Sequence, residues 1–397
     1  MRFLHAADLH LDSPLRSQAL RDPERARRLH GASRLALARL VDTAIEENVA
    51  ALLLAGDIFD NGVGDVTSRI ALATELRRLA RAGIRTVAIR GNHDALLDYT
   101  RYGPLEEGVV VLDAAQPTCR VVDAAIHGLG FESRHVAASL LPRYPAPEPG
   151  VVNVGLMHTS LGGAVGHDPY APCSEADLLG HGYDYWALGH IHKRFERRSD
   201  AALAVMPGIL QGRHAGETGR GSATLVEIDD NGIRAREIPL AAVAFETVDV
   251  DLAGAASLGE RQELIGRALI AAARPDHEVA ARLRISGAGS LAAKASLAQQ
   301  LAEAACEEVD GVQIEAVRLV SSPERVAPGV VAELATMMKQ DSETAGFRDE
   351  ALALIEDWQA AMPGEVAEAF EPAELDAMIA EGLDAVVARL TIEGDPS

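Results

Sequence analysis

The stretch AALLLAGDIFD, residues 50–60, is a wholly apolar run that stops at a glycine and an aspartate. Six residues are too few for a buried helix and suit a strand covered on both faces, the pattern of a parallel sheet. The same arrangement recurs on either side. Residues 3–7, 84–89, 151–157 and 185–188 are brief apolar runs, each ending in a polar or Gly-rich turn. Between them, residues 33–46 carry Leu35, Leu37, Leu40, Val41 and Ile45, and residues 66–81 carry Ile70, Leu72, Leu76 and Leu79, at near-helical spacing. Strands alternating with amphipathic helices predict a layered α/β domain over residues 1–240. Near its end, 223–228 and 233–238 flank Asp229-Asp230-Asn231-Gly232, where Asn-Gly is expected to supply the positive φ angles of a hairpin turn.

Beyond residue 240 the pattern changes. Residues 246–250, 278–285 and 313–319 read as strands and 258–273 and 291–304 as helices, a small α+β domain over 245–320. Residues 325–397 are helical by composition, with segments at 330–339, 347–362 and 373–390 broken by Gly346 and Pro363-Gly364.

The 397 residues hold 37 Lys plus Arg against 59 Asp plus Glu, a net charge of −22 that as a whole-chain sum speaks against nucleic acid. The excess is uneven. Residues 1–240 carry 26 basic and 30 acidic side chains, whereas 321–397 carry 4 and 17. The repulsion is therefore largely a property of the tail. Cys119, Cys173 and Cys306 are too scattered for a disulfide framework, which points to a reducing cytoplasm. Asp8 interrupts the first apolar run before it could serve as a signal-peptide core, and no apolar run is long enough to span a bilayer.

The strands of the first domain end, one after another, in metal-ligand residue types: Asp8 and His10, Asp57, Asn92 with His93 and Asp94, His158, and His190 with His192. In α/β folds the carboxyl edge of the sheet is where loops converge on a site. Asp, Asn and His together offer hard oxygens and borderline nitrogens, a mixture suited to Mn, Fe or Zn. The i, i+2 spacing of Asp8 and His10, and of His190 and His192, puts both members of each pair on one face of extended backbone. Two ions would clamp the attacking and leaving oxygens of an in-line displacement at phosphorus, with an Asp as the natural bridge.

In order along the chain, Asp8-x-His10, Gly56-Asp57, Gly91-Asn92-His93-Asp94, His158 and Gly189-His190-x-His192 resemble the motifs of the calcineurin-like metallophosphoesterases. The flanking stretches FLHAADLHLDSPL (3–15), GDIFD (56–60) and ALGHIHK (187–193) resemble more narrowly the SbcD-type DNA repair exonucleases, especially their YhaO-like branch. The resemblance implies an α/β (α+β) fold: a four-layer sandwich of two mixed β-sheets flanked by helices, with a small α+β cap domain and a helical C-terminal segment. It implies one ion on Asp8, His10, Asp57 and His192 and a second on Asp57, Asn92, His158 and His190. His93 would act as the catalytic histidine, stabilising the pentacoordinate phosphorus or protonating the leaving oxygen, and Asp94 would orient it. The implied activity is Mn2+-dependent exo- or endonucleolytic hydrolysis of DNA in repair by a two-metal-activated water, with Fe2+ and Zn2+ as alternative ions. The implied partner is an SbcC-like or YhaN-like coiled-coil ATPase docked on the C-terminal helices, and a homodimer is left open.

Two other readings stand beside this one. The same centre could act on a small phosphodiester, a cyclic nucleotide or a phosphoprotein, or the chain could be an inactive scaffold that regulates an ATPase. The additional domains speak against the first and the complete ligand set against the second. Lys193, Arg194, Arg197 and Arg198 follow directly on His192, where cations would contact a phosphate backbone. Arg21, Arg25, Arg27, Arg28 and Arg34 read as an ordinary solvated patch. In PGILQGRH, residues 207–214, Arg213 and His214 suit phosphate contact and a structural turn equally. Asp12 and Asp60 neighbour the ligands, but Asp is also a common cap and turn residue. His5 reads as a hydrogen-bonded core histidine, and His30, His127, His135, His167, His181 and His277 as surface or structural. Leu352, Leu354, Ile355 and Trp358 give the tail an apolar face suited to a groove on a partner or to packing on its own chain.

Overall fold

The structure is a computed structural model that describes residues 1–11, 13, 31–60, 66–97, 107–162, 170–214, 216–287, 295–320 and 330–361, with scattered positions between 375 and 386. Asp12, His30, His167, the arginines at 21, 25, 27 and 28, and most of the 373–390 segment lie outside it. The chain divides into two compact units, Met1–Ala244 and Phe245–Ser397.

In chain order the first unit contains β1 (Arg2–Ala6), α1 (Ala32–Glu46), β2 (Ala51–Ala55), α2 (Val66–Arg81), β3 (Arg85–Ile89), β4 (Val109–Val111), β5 (Thr118–Val121), β6 (Ala124–Gly128), β7 (Val152–His158), α3 (Glu175–Gly180), β8 (Tyr185–Gly189), β9 (Phe195–Arg198), β10 (Leu203–Met206), β11 (Ser222–Asp229) and β12 (Gly232–Pro239). Among the described residues they form two six-stranded sheets, ordered β12-β11-β1-β2-β3-β4 and β5-β6-β7-β8-β10-β9. The central strands of both are parallel, with Phe3 opposite Ala51, Ala51 opposite Arg85 and Val154 opposite Tyr185, while β11, β12, β5 and β9 add antiparallel edges.

Side-chain alternation builds the layers. Phe3, Leu53, Val87 and Ile89 of the first sheet meet Ile126, Val154, Leu156, Tyr185 and Val205 of the second in one buried cluster. Leu4, Leu52 and Leu54 point the other way, onto Leu37, Leu40 and Val41 of α1 and Leu72, Leu76 and Leu79 of α2. The outer face of the second sheet packs Met157, Trp186, Leu188 and Met206 against Phe131, Tyr144, Leu178 and Tyr183, carried by loops, a 3-10 turn at Leu141–Arg143 and the short α3. The result is two mixed sheets flanked by helices. At Gly155 an added Cβ would lie 2.3 Å from the Trp186 ring, so the position must stay empty for that indole to stack beside Tyr183.

The apolar runs become strands within a residue or two of the predicted limits, and α2 spans Val66–Arg81 as its periodicity implies. In the β11–β12 hairpin, Asp229 pairs with Gly232 across a two-residue loop, but the left-handed backbone falls on Gly232 (φ +104°) and not on Asn231. His5 is fully buried: one ring nitrogen lies 2.9 Å from the Tyr185 hydroxyl and the other 3.0 Å from the Leu188 carbonyl. Burial, with a smaller effect from the Arg194 charge, lowers its pKa to about 3. It is a neutral core histidine with both nitrogens satisfied.

β13 (Val243–Asp251) begins in the last two residues of the first unit and runs into the second, which also contains α4 (Leu258–Ala272), β14 (Glu278–Ser286), α5 (Ala295–Cys306), β15 (Val312–Leu319), α6 (Val330–Ser342) and α7 (Ala345–Ala361). The strands form a three-stranded sheet in the order β13-β14-β15. One face, with Val248, Val250, Leu283, Ile285 and Ile314, packs on Ile265 and Leu269 of α4 and Leu301 and Ala302 of α5. Ser257 caps α4 by accepting the Glu260 N–H at 3.2 Å. No helix among the described residues is long and apolar enough to cross a membrane.

Candidate metal centre

Parallel strands present their carboxyl ends on one edge, and that edge is where the ligand-type residues gather. Asp8 and His10 follow β1, Asp57 follows β2, Asn92 and His93 follow β3, His158 ends β7, and His190 and His192 follow β8. Side-chain donors then form two groups, Asp8 with His10 and His192, and Asp57 with His158 and His190, each with its ligand atoms within 4.8 Å of one another. His10 Nε2 is 3.2 Å from His192 Nε2, and His192 Nε2 is 4.0 Å from Asp8 Oδ1. Asp57 Oδ2 lies 3.3 Å from His158 Nε2 and 3.9 Å from His10 Nε2, so a single carboxylate oxygen faces both groups. Asn92 Oδ1 joins the second at 2.9 Å from His158 Nε2.

Backbone bonds tie the loops into one frame. Asp8 N–H donates to Gly56 C=O and His10 N–H to Asp57 C=O, while His190 N–H donates to both Asp8 oxygens at 3.1 and 3.0 Å. His93 N–H donates to Asp57 Oδ1 at 2.9 Å, which leaves Oδ2 to face the ligand groups. His158 Nδ1–H donates to Ala55 C=O at 2.9 Å and so turns Nε2 inward. Asp8, His10, Asp57 and His190 all have positive φ, at +52°, +39°, +52° and +105°. Such backbone costs about 1–3 kcal/mol per residue and gathers where a site over-determines its geometry.

The glycines of the motifs are required by contact. A Cβ on Gly91 would lie 2.2 Å from Asp57 Oδ1 and 2.7 Å from Asp57 N, and one on Gly189 would lie 2.1 Å from Ala55 O. Gly91→Ala must therefore displace the carboxylate shared by both groups. A shift of about 1 Å in such a group costs on the order of 100-fold in rate. Phosphodiesterase turnover of Gly91→Ala should fall by about that factor, with secondary structure by circular dichroism unchanged; wild-type turnover would show that the loop yields without moving Asp57.

Burial and neighbouring charge set the protonation states. Burial pushes Asp8 up, against the opposing influence of His192 and His158. Burial also works against the Asp57 charge, but the charge and hydrogen bond of His158, with His93 and His10 behind them, hold it well below the usual carboxylate range. Burial and the Arg213 charge bring His10 down to about 3, which leaves it neutral. For His158 the Asp57 charge and hydrogen bond outweigh burial and lift it to about 9, a proton that a cation at the same position would replace. Two buried carboxylates facing converging imidazole nitrogens, with an amide oxygen beside them, are a donor set that fits a pair of borderline divalent cations.

Two carboxylates have a different place from the one their position in the sequence suggests. Asp94, adjacent to His93 and expected to orient it, accepts Gly91 N–H at 2.6 Å and Ile58 N–H at 3.0 Å and is fully buried beneath the loop. The carboxylate on His93 is Asp60: its Oδ1 lies 2.9 Å from His93 Nδ1, and its Oδ2 accepts the Ser13 hydroxyl at 2.7 Å. His10, Asp60 and His93 form a third group of donors beside the first two. Burial disfavours the His93 charge, but the Asp60 hydrogen bond and the charges of Asp57 and Asp60 raise its pKa overall.

The expected phosphate contacts fare unevenly. Lys193 is exposed. Arg194 is engaged with the Thr224 hydroxyl and, at 2.6 Å, with Glu196; Arg197 pairs with Glu175 at 2.8 Å; and Arg198 reaches Ile233 C=O at 3.4 Å. Arg213 pairs with Glu217 at 2.7 Å, and His214 Nδ1 accepts Gly216 N–H at 3.1 Å. Glu217 has no motif around it to mark it in the sequence. It is nevertheless 2.7 Å from His192 Nδ1, with a side chain only 6% exposed. His127 bonds Thr118 and Asn153, and His181 bonds Pro145 C=O, both structural as expected.

Residues 1–194 match the calcineurin-like phosphoesterase family, and residues 245–322 match the middle domain of metallophosphoesterase YhaO. The chain carries a calcineurin-like metallophosphoesterase domain and a YhaO-type middle domain. The uncharacterized metallophosphoesterase YhaO of Bacillus subtilis is 35% identical over 242 residues, 59% of this chain and 59% of that protein. The DNA double-strand break repair protein Mre11 of Sulfurisphaera tokodaii is 29% identical over 187 residues, 44% of this chain and 47% of the relative. The Mre11 of Methanopyrus kandleri is 26% identical over 294 residues, 66% and 61% of the two chains. In each case the match spans less than two thirds of the relative's length.

Proposed function

We propose that this metallophosphoesterase is a Mn2+-dependent nuclease of DNA repair that hydrolyses phosphodiester bonds. The observation that carries the hydrolytic part is Asp57 Oδ2, set between two groups of ligand-type residues with His93 at their side. The nucleic-acid part is supported by the archaeal relatives named as double-strand break repair proteins. Asp8, His10 and His192 would hold one ion and Asn92, His158 and His190 the other, with Asp57 shared. A bound divalent pair supplies positive charge to the phosphoryl oxygens and acidifies water. His93 donates Nδ1–H to Asp60, which frees Nε2 to carry a proton to a departing oxygen and leaves the Asp60 charge to support the imidazolium form. The His93 side chain is 31% exposed, so a substrate can reach it.

The same proposal places a coiled-coil ATPase partner on the tail helices. Leu334 and Met337 of α6 and Phe347 and Leu354 of α7 remain exposed, an apolar set suited to a helix-in-groove contact.

The test is an assay of the full chain on end-labelled linear duplex and single-stranded DNA, with bis-p-nitrophenyl phosphate in parallel. Shortening of DNA that requires Mn2+ and stops on chelation is the expected result. Turnover of the small diester with no cutting of either DNA would move the reading to a small phosphodiester. Turnover of neither would revive the scaffold reading.

A further inference from the structure

We infer that Glu217 is a positioning residue of the metal centre: it holds His192 in the one tautomer that can ligate an ion beside Asp8 and His10. The inference rests on the dimetal reading above and concerns a residue outside every recognised motif. Glu217 Oε1 lies 2.7 Å from His192 Nδ1, and its side chain is nine-tenths or more buried. A buried carboxylate is retained only with cationic or donor partners. Here they converge on it: Arg213 Nη2 donates to Oε1 at 2.7 Å, Arg213 N–H donates to Oε2 at 2.6 Å, and Arg213 Nε lies 3.1 Å from Oε1. The Arg213 guanidinium, 2.7 Å from Oε1, is the counter-charge that a buried carboxylate requires.

An ionised carboxylate can only accept. A bare Nδ1 lone pair 2.7 Å from it would be repelled, so Nδ1 carries the hydrogen and donates it. The neutral ring then has its lone pair on Nε2, the atom that faces His10 Nε2 at 3.2 Å and Asp8 Oδ1 at 4.0 Å. His158 is oriented in the same sense by a backbone carbonyl, donating Nδ1–H to Ala55 C=O. His192 and His158 are thus fixed by different means, and His192 depends on a side chain. That makes it separable by mutation. Arg213, whose place in the sequence suits phosphate contact and a structural turn equally, is here the counter-ion that lets Glu217 stay buried and charged; its Nη2 lies 3.3 Å from His192 Nδ1, farther than the carboxylate.

The experiment titrates metal-free full-length protein with Mn2+, following the free-ion signal by electron paramagnetic resonance, for wild type, Glu217→Gln and Glu217→Ala. Outer carboxylate partners of metal-bound histidines are typically worth about 10–100-fold in affinity. Wild type should take up two ions. Both variants should weaken one of the two by about 10–100-fold and leave the other in place. A second readout needs no metal: long-range proton–nitrogen spectra should find His192 protonated on Nδ1 in wild type and a mixture of tautomers in Glu217→Gln. Equal loss at both positions would mean a general structural role, and unchanged affinity or a His192 protonated on Nε2 would equally overturn the inference. Failure of wild type to bind two ions would instead remove the dimetal reading, and this inference with it.

Discussion

Replacing Asp57 with Ala should empty both metal positions in one step. Asp57 Oδ2 faces His158 Nε2 at 3.3 Å and His10 Nε2 at 3.9 Å, so the residue belongs to both groups, while Oδ1 accepts the His93 N–H at 2.9 Å. On the proposed reading the substitution takes a ligand from each position and releases the loop that carries His93. The loss should exceed the roughly 10–100-fold typical of an outer partner, because the atom removed is itself a ligand. Hydrolysis of bis-p-nitrophenyl phosphate should fall more than about 100-fold on that reasoning, and Mn2+ uptake should drop from two ions to less than one. Asp8→Ala, which takes a ligand from one group only, should keep one ion. A thermal readout is independent of catalysis: an ion bound at 100 times its dissociation constant stabilises by about 2.7 kcal/mol. The wild-type melting temperature should rise with Mn2+ and that of Asp57→Ala should not. Retention of two ions by Asp57→Ala would end the shared-ligand reading.

The difference between Asp57 and Glu217 also marks how far the chain can be read without coordinates. β1, β2, β3, β7 and β8 are legible because each is covered on both faces and so is largely apolar. Their ends follow from strand geometry, but the ligand-type residues beyond them do not: Asp8, His10, Asp57 and His190 turn to positive φ, so the i, i+2 pairs do not share a face of extended backbone as their spacing suggests. β9 reads FERR and lies at a sheet edge, where one side faces water and charge is tolerated, so periodicity gives no signal there. The partners behind the ligands obey no local rule. Asp94 is next to His93 in the chain, yet the tight turn at Gly91 sends its carboxylate under the loop to two backbone N–H groups, and Asp60, 33 positions earlier, reaches the imidazole. Glu217 is 25 positions from His192 and meets it only because the segment after β10 folds back over the site. Such contacts depend on the paths of two loops, which side-chain spacing does not encode. The charge asymmetry, by contrast, needed no structure. The unit with the metal centre carries only a small acidic excess, and buried carboxylates such as Asp8, Asp57, Asp60 and Glu217 are set against imidazoles or Arg213.

His93→Gln separates the chemistry of the leaving oxygen from the binding of metal. His93 stands outside both ion-holding groups, with its Nδ1 engaged by Asp60, so the variant should still take up two Mn2+ ions. Loss of a positioned general acid costs about 10²–10⁴-fold, and the fall should lie in kcat with KM little changed. The size of the defect should depend on the leaving group. A p-nitrophenolate departs readily without a proton, whereas the sugar alkoxide released from DNA is strongly basic and needs one. If His93 protonates that oxygen, the defect should be large on DNA and several-fold smaller on bis-p-nitrophenyl phosphate. If it acts only by stabilising charge on the phosphoryl oxygens, the two substrates should suffer alike, since that charge develops in both. Asp60→Asn tests the same point from behind: it leaves His93 in place but removes the carboxylate that favours the imidazolium form, and should reproduce part of the defect with the same bias towards DNA. Equal rates for wild type and His93→Gln on both substrates would show that the proton comes from elsewhere.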